Sequence, residues 1–282
     1  MPATYYAIGL ALAAAFTTAL GMVLRHAAAE APSHGESGAQ AAIRSIFNWY
    51  WLGGTLSSLL GFALQAAALN FGSLLLVQPI TVLSLMFTLP LASRFSDRPA
   101  TRWEWLWASV LTTCVAAIVV YGRPIEGAEH PAWWEWLAAV LAGLAVMGVL
   151  SKIARQELRR DRALLLGVTS GIAFAYVAVF AKGLVTRLSA DGVIGVLTNG
   201  ELYGLLIAAT LALVIQQASF ASGNINQAAP ASTVTTPVVS IVLGLFLLGE
   251  RFSVAGWGLL VIGGIIVVMA AATVFLARAA EE

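Results

Sequence analysis

The stretch NQAAPASTVTTPVVS, residues 226–240, lies between LLIAATLALVIQQ (205–217) and IVLGLFLLG (241–249). Both flanks are apolar enough for lipid, yet the stretch itself holds two prolines, three threonines, two serines and a glutamine. In hydrocarbon an unsatisfied backbone group costs several kcal/mol, so broken, polar helix is tolerated only where it faces protein or a water-filled cavity. Residues 226–240 therefore read as a segment of a membrane span turned toward an interior cavity, and the whole chain must supply that interior.

Composition agrees. Of 282 residues, 60% are hydrophobic and 10% charged, against about 25% charged in soluble domains. No water-facing surface of ordinary composition can be built from this chain, which reads as an all-α polytopic membrane protein of the cell (plasma or inner) membrane. A net charge of +1 gives no electrostatic basis for a nucleic-acid partner. The single cysteine, Cys114, sits in an apolar run, and no Cys/His cluster has metal-ligand spacing, so neither a disulfide framework nor a metal or other cofactor is expected. There is no H-E-x-x-H, P-loop lysine or Gly-x-Ser-x-Gly motif, and His26, His34 and His130 are scattered. Neither an enzyme nor an ATP-driven pump is indicated. The opening residues lack a basic region before their apolar part, so they are expected to stay as a span.

A span needs about 20 mostly apolar residues. On that criterion nine helices are predicted, over roughly 5–27, 49–70, 73–93, 103–122, 132–151, 163–186, 193–219, 228–248 and 254–277. The longest link, 28–48, contains PSHGESG and then AQAAIRSIFNWYW, whose second half reads as an interfacial amphipathic segment. With the N-terminus outside and the C-terminus cytoplasmic, 11 of the 15 Lys and Arg fall on the cytoplasmic side, and only Arg123, Lys182, Arg187 and Arg251 fall outside. The run SKIARQELRRDR (151–162) then anchors the topology beside anionic lipid. Tryptophans at 49–51, 103–107 and 133–136 stand at span ends, as an aromatic belt would.

Weak internal similarity suggests a repeat. YAIGLALAAAFTTALGMVL aligns with LLLGVTSGIAFAYVAVFAK, pairing Gly9 with Gly167 and Phe16 with Phe174. LQAAALNFGSLLLVQP aligns with IQQASFASGNINQAAP, pairing Gln65 with Gln216, Gly72 with Gly223 and Pro79 with Pro230. Four helices, a connecting helix and four helices form a 4+1+4 plan, in which the odd connector inverts the second unit. The units are 1–122 (with the 28–48 linker), 123–161 for the connecting helix and basic loop, and 162–282.

The candidate residues follow from that plan. Pro79, Pro230 and Pro237 remove backbone donors and free carbonyls. Thr233, Pro237 and Ser240 share one helical face, with Thr236 beside it, and Gln65, Gln78, Thr81 and Gln216 supply neutral amide and hydroxyl groups. Such groups suit a polar neutral or zwitterionic solute or a lipid head group. The alternative role for each is hydrogen bonding between or within helices. All but one of the 14 acids lie in loops or at span ends; Glu201 is predicted some eight residues, about 12 Å, into the seventh span. An acid at that depth is a functional hypothesis by default, and it is read as a proton-coupling group. Lys182, near a span end, reads as a snorkelling lysine.

PVVSIVLGLFLLGERFSVAGWGLLVIGG (237–264) resembles the end of the second repeat in the drug/metabolite transporter superfamily (EamA-like). There a helix-borne proline precedes Gly-Glu-Arg, here Pro237 and Gly249-Glu250-Arg251. The nine-span count, the N-out orientation and the run QASFASGNINQAAPASTVTTPVVS look closest to the NIPA-type magnesium transporter branch. The first repeat departs from the pattern, with Leu85 in place of the proline and Arg98 in place of the glutamate. The resemblance implies a secondary transporter working by alternating access. Mg²⁺ ordinarily needs carboxylates, which the spans lack, so an organic solute is the leading expectation, followed by a lipid-linked substrate flippase, an Mg²⁺ carrier and a non-transporting scaffold. Expected partners are a small-molecule or lipid-like substrate and membrane lipids, with a homodimer allowed.

Overall fold

A computed structural model describes residues 2–30, 49–95, 100–127, 131–156, 159–198, 200–222 and 225–279. The amphipathic segment expected before residue 48, Arg98 and Gly223 lie outside these. The described helices are α1 (Pro2–Glu30), α2 (Trp49–Phe71), α3 (Leu74–Val82), α4 (Ser84–Phe95), α5 (Arg102–Ala117), α6 (Trp133–Ala154), α7 (Arg159–Thr198), α8 (Gly200–Ala221), α9 (Ile225–Phe246) and α10 (Trp257–Ala279). A π-helical turn, Ile118–Gly122, prolongs α5. Two-residue strands β1 (Pro124–Ile125) and β2 (Arg251–Phe252) pair antiparallel.

Among the described residues nine segments are long and apolar enough to cross a membrane, with α3 and α4 forming one of them over Leu74–Arg94. The α3/α4 break follows Pro79 by one turn: the Leu83 N–H bonds to Ile80 O at 3.0 Å, three residues back, before the helix resumes. The tryptophans Trp49, Trp103 and Trp133 are all exposed at helix starts.

Two boundaries differ from the sequence reading. The sixth span continues through residue 186 to Thr198, interrupted at Gly192, whose φ of 66° lies in the left-handed region that a side chain disfavours. The seventh span then starts at Gly200, so Glu201 occupies the first turn of α8 instead of lying eight residues inside it. The apolar signal of 193–198 belongs to the end of α7, and hydropathy could not separate it from the start of α8.

Lipid offers no hydrophobic drive for helices to associate, so close approach through small residues must supply the packing. α1 and α2 pack along their lengths, as do α7 and α8, and α7 also packs against α9. At the α1/α2 contact a β-carbon placed on Gly21 would stand 2.7 Å from Gly54 O, inside any ordinary contact. At the α7/α9 contact one on Gly171 would stand 2.8 Å from Ser232 O. Aromatic stacking joins α5 to α10 through Trp107 and Phe275 (centroids 4.4 Å) and α6 to α7 through Trp136 and Phe180 (4.9 Å).

Overpacking of this kind costs about 1–3 kcal/mol or more. Gly21→Leu and Gly171→Leu are each expected to lower the melting temperature of the purified protein by several degrees, whereas Gly9→Ala, whose β-carbon meets nothing within 4 Å, leaves it unchanged. Thermal melts of the three variants in detergent check this.

Candidate functional site

The ends of α2 and α7, the starts of α3, α6 and α8, and the 122–131 and 246–257 connections meet at one end of the bundle. The joint between α2 and α3, residues 69–75, is held there by two ions from distant sequence. Helix ends leave carbonyls and N–H groups without partners inside the helix. Lys182, on α7, donates to Leu69 O at 2.7 Å and to Gly72 O at 2.9 Å, and it pairs with Glu126 at 3.1 Å. Its side chain is only 14% exposed. Snorkelling is thus not what this lysine does: it turns inward and caps the C-terminus of α2, where a positive charge is favoured.

Glu250 supplies the opposite sign at the next helix. Its Oε1 accepts from Leu74 N at 2.7 Å and its Oε2 from Leu75 N at 2.9 Å, while Ser73 Oγ accepts from Leu76 N at 3.2 Å. The start of α3 is fully capped, with a carboxylate at its positive end. Gly249, at φ 61°, turns the chain out of α9, and the Glu250 N–H closes back on Gly244 O, six residues earlier, at 2.9 Å. Gly244 also makes room, since a β-carbon there would lie 2.8 Å from Glu250 Oε2. Arg251 follows as an exposed residue of β2, opposite Ile125. The run Gly249-Glu250-Arg251 therefore has a local physical meaning: a helix stop, a cap for another helix, and a strand that pairs with the 124–125 strand. Glu250 is buried and lies between the spans, and burial pushes its carboxyl above the usual range against the opposing pull of the two N–H bonds and Lys182.

A cavity of about 600 Å³ lies at this end, walled by Asn70, Glu126, Trp136, Lys182, Glu201 and Glu250 among others. Glu201 accepts from Arg187 Nε at 3.2 Å, and Arg187 also reaches Asp191 at 3.6 Å. A smaller cleft of about 120 Å³ lies next to it, lined by Phe62, Gln65, Ala66, Leu69, Phe174, Ala178, Ala181 and Thr236. Leu69 and Ala181 line the cleft, and their chain neighbours Asn70 and Lys182 line the cavity. The Lys182 to Leu69 bond joins a residue of the cavity wall to one of the cleft wall.

Of the sequence-predicted residues, the structure brings Gln65 and Thr236 together in the cleft, with Phe174. The threonine hydroxyls of 226–240 bond within their own helix, Thr233 to Ala229 O at 2.9 Å, Thr235 to Ala231 O at 2.7 Å and Thr236 to Ser232 O at 2.9 Å, the last also reaching Gly171 O on α7. Ser232 and Ser170 join α9 to α7 at 3.0 Å. Thr81 bonds to Gln78 O. Gln78 and Ser240 are buried, and neither Gln78 Nε2 nor Ser240 Oγ has a hydrogen-bond partner in the described structure. Leu75 meets Gly244 where α3 and α9 touch, so these two groups sit about one turn from that contact. Gln216 is half-buried on α8 outside both cavities, and Pro79, Pro230 and Pro237 are buried. Sequence reasoning missed the cavity roles of Lys182, Glu126 and Glu250. The Gly-Glu pair after an apolar run does signal a helix stop, but the helix that Glu250 caps lies 176 residues away.

Removing the Lys182 ammonium leaves two helix-end carbonyls and Glu126 without their donor, at a cost of about 1–3 kcal/mol. Lys182→Met is expected to lower the melting temperature clearly, and Glu126→Gln much less, because that carboxylate is half-exposed and such pairs contribute about 0–1 kcal/mol. Melting curves of the two single variants and the double variant test this.

A protein of Corynebacterium glutamicum, described as uncharacterized, is 39% identical over 279 residues, which cover 99% of this chain and 96% of that protein. No family model matches the chain, and no solved structure matches it.

Proposed function

We propose that this chain, which belongs to one family with the Corynebacterium glutamicum protein, is a secondary transporter that carries a small amphipathic organic solute by alternating access between two inverted halves. The observation that carries this reading is an apolar cleft holding Gln65 and Thr236 next to a larger charged cavity, in a bundle with nine apolar helices among the described residues. A solute entering at the helix ends meets charged groups first and then an aromatic-lined cleft with one amide and one hydroxyl. Such sites are mostly apolar with a few placed polar groups. The similar lengthwise pairing of α1 with α2 and of α7 with α8 supports the repeat plan, and the order of weak sequence matches supports an EamA-like, drug/metabolite transporter relationship. In this reading the N-terminus and the Lys182 end face outward, the C-terminus faces the cytoplasm, and 123–161 connects the halves.

A lipid or lipid-linked substrate is the second reading, and one observation favours it. Phe62 lines the cleft and is 48% exposed on the flank of α2, so one wall of the cleft reaches the outer surface of that helix, where an acyl chain would lie. An Mg²⁺ carrier and a passive scaffold rank behind both.

Single cysteines placed in a Cys114→Ala background test the carrier directly. Thr236→Cys is expected to react with membrane-impermeant thiol reagents from either side of sealed vesicles, as an alternating cleft requires; reaction from neither side would favour a scaffold. Thr198→Cys and Gln156→Cys, at exposed positions near opposite ends of α7 and α6, should label only from outside and only from the cytoplasm, and the reverse pattern would overturn the orientation.

A further inference from the structure

We propose that the charged cavity is a site for an organic cation: it takes an ammonium or guanidinium head, with Glu201 and Glu126 accepting its N–H groups and Trp136 as an aromatic wall. That such a cation is carried rests on the transporter reading above; the binding itself rests on the cavity.

The hydrogen-bonding capacity left over in this cavity is of one kind. An ammonium has three N–H groups, and those of Lys182 already have three acceptors, Leu69 O, Gly72 O and Glu126. The hydroxyls are used as donors too: Thr186 donates to Lys182 O and Ser189 to Asn70 Oδ1, each at 2.8 Å. The side-chain donors that remain on the wall, the Asn70 amide and the Trp136 indole N–H, are neutral. The acceptors that remain are charged. Among the described residues Glu126 and Glu201 each meet a donor at Oε1 alone, which leaves a second carboxylate oxygen on each. Glu250 has none left, because both its oxygens accept from the start of α3. Three carboxylates thus share the wall with one ammonium, and Arg187, outside the lining, is divided between Glu201 and Asp191. An anion entering here finds like charge and no unused cationic donor. A cation with N–H groups finds both the opposite charge and the acceptors.

Gly183 brings two parts of the site together. A β-carbon built there would stand 3.1 Å from Glu201 Cγ and 3.6 Å from Trp136 Cζ2, so the carboxylate arm from α8 and the indole from α6 both reach the same bare point on α7. Phe180 stacks on Trp136 at 4.9 Å and holds the ring beside the carboxylate, a favourable pairing of walls for a cation. The Glu201 side chain is 14% exposed, so salt screens it less than a surface acid. A metal ion is served less well, since no group of three acids, histidines or cysteines among the described residues is placed to hold one. The adjoining cleft, with Phe62, Leu69 and Phe174, suits an apolar tail. The solute class is therefore an amphipathic amine or guanidine in its charged form.

Calorimetric binding to the full chain in lipid nanodiscs, with empty nanodiscs as the blank, tests the site. The probes share one tail: hexylammonium, hexylguanidinium, hexyltrimethylammonium, hexanoate and hexanol. The first two are expected to bind saturably, and hexanoate and hexanol not to exceed the blank. Hexyltrimethylammonium keeps the charge without an N–H and should bind about tenfold more weakly. Glu201→Gln should weaken hexylammonium by about tenfold or more, and Glu126→Gln by less, because water screens that half-exposed group. Tighter binding of hexanoate, equal binding of hexyltrimethylammonium, or a hexylammonium affinity that neither variant moves would overturn the proposal. If Glu201→Gln does not fold, Glu126→Gln and the probe series decide it. Charge-selective binding in a protein whose Thr236→Cys labels from neither side would defeat the carrier and leave the cation site standing. Labelling from both sides without charge selectivity would leave the carrier and defeat the cation site.

Discussion

The joint at residues 69–75 is held by two charged side chains that turn inward, Lys182 and Glu250. α2 ends there with unpaired carbonyls and α3 begins with unpaired N–H groups, and in an apolar bundle neither set can turn to water without cost. Lys182 answers the first set and Glu250 the second. Each ion has the sign that its helix end favours, and each comes from the second half of the chain. The first half is therefore fastened to the second through electrostatics at one end, while its length is packed by small residues.

That division of labour explains how the polarity of 226–240 is used. A hydroxyl in an apolar span can satisfy itself on the carbonyl four residues back, as Thr233 and Thr235 do. Such residues stay thin, and α9 can press against Gly167 and Gly171 of α7. Much of the stretch is thus interface, and Thr236 is the threonine placed on the cleft. Backbone breaks act differently. Pro79 loosens the helix just before the α3/α4 break, and a buried amide at Gln78 without a partner stands beside it.

Element existence was legible because lipid imposes a simple rule of about 20 apolar residues per span, and the predicted spans match the described helices except around 193–201. There hydropathy saw one apolar run, whereas the backbone breaks at Gly192 and again before Gly200. The cleft was legible in part: Gln65 and Thr236 were singled out for their chemistry, and the fold brings them together. The charged cavity was not. Lys182 looked like a snorkelling residue and Glu250 like a loop acid because each is defined by a partner more than 100 positions away, a relation that no local pattern contains. Glu201 was singled out for a depth it does not have.

The order of the two cavities constrains what can pass. Stripping water from a full charge is expensive, and an isolated ion in an apolar site shifts its protonation or takes a partner. The cleft offers only an amide and a hydroxyl among Phe62, Leu69, Phe174 and alanines, which can orient a neutral or weakly polar part of a solute but cannot stabilise a bare ion. The larger cavity offers Lys182, Glu126, Glu201 and Glu250, so a charged group can remain there, paired, while the apolar part enters the cleft. The two linings together suit a solute with both parts, its charged group in the cavity and its apolar body in the cleft.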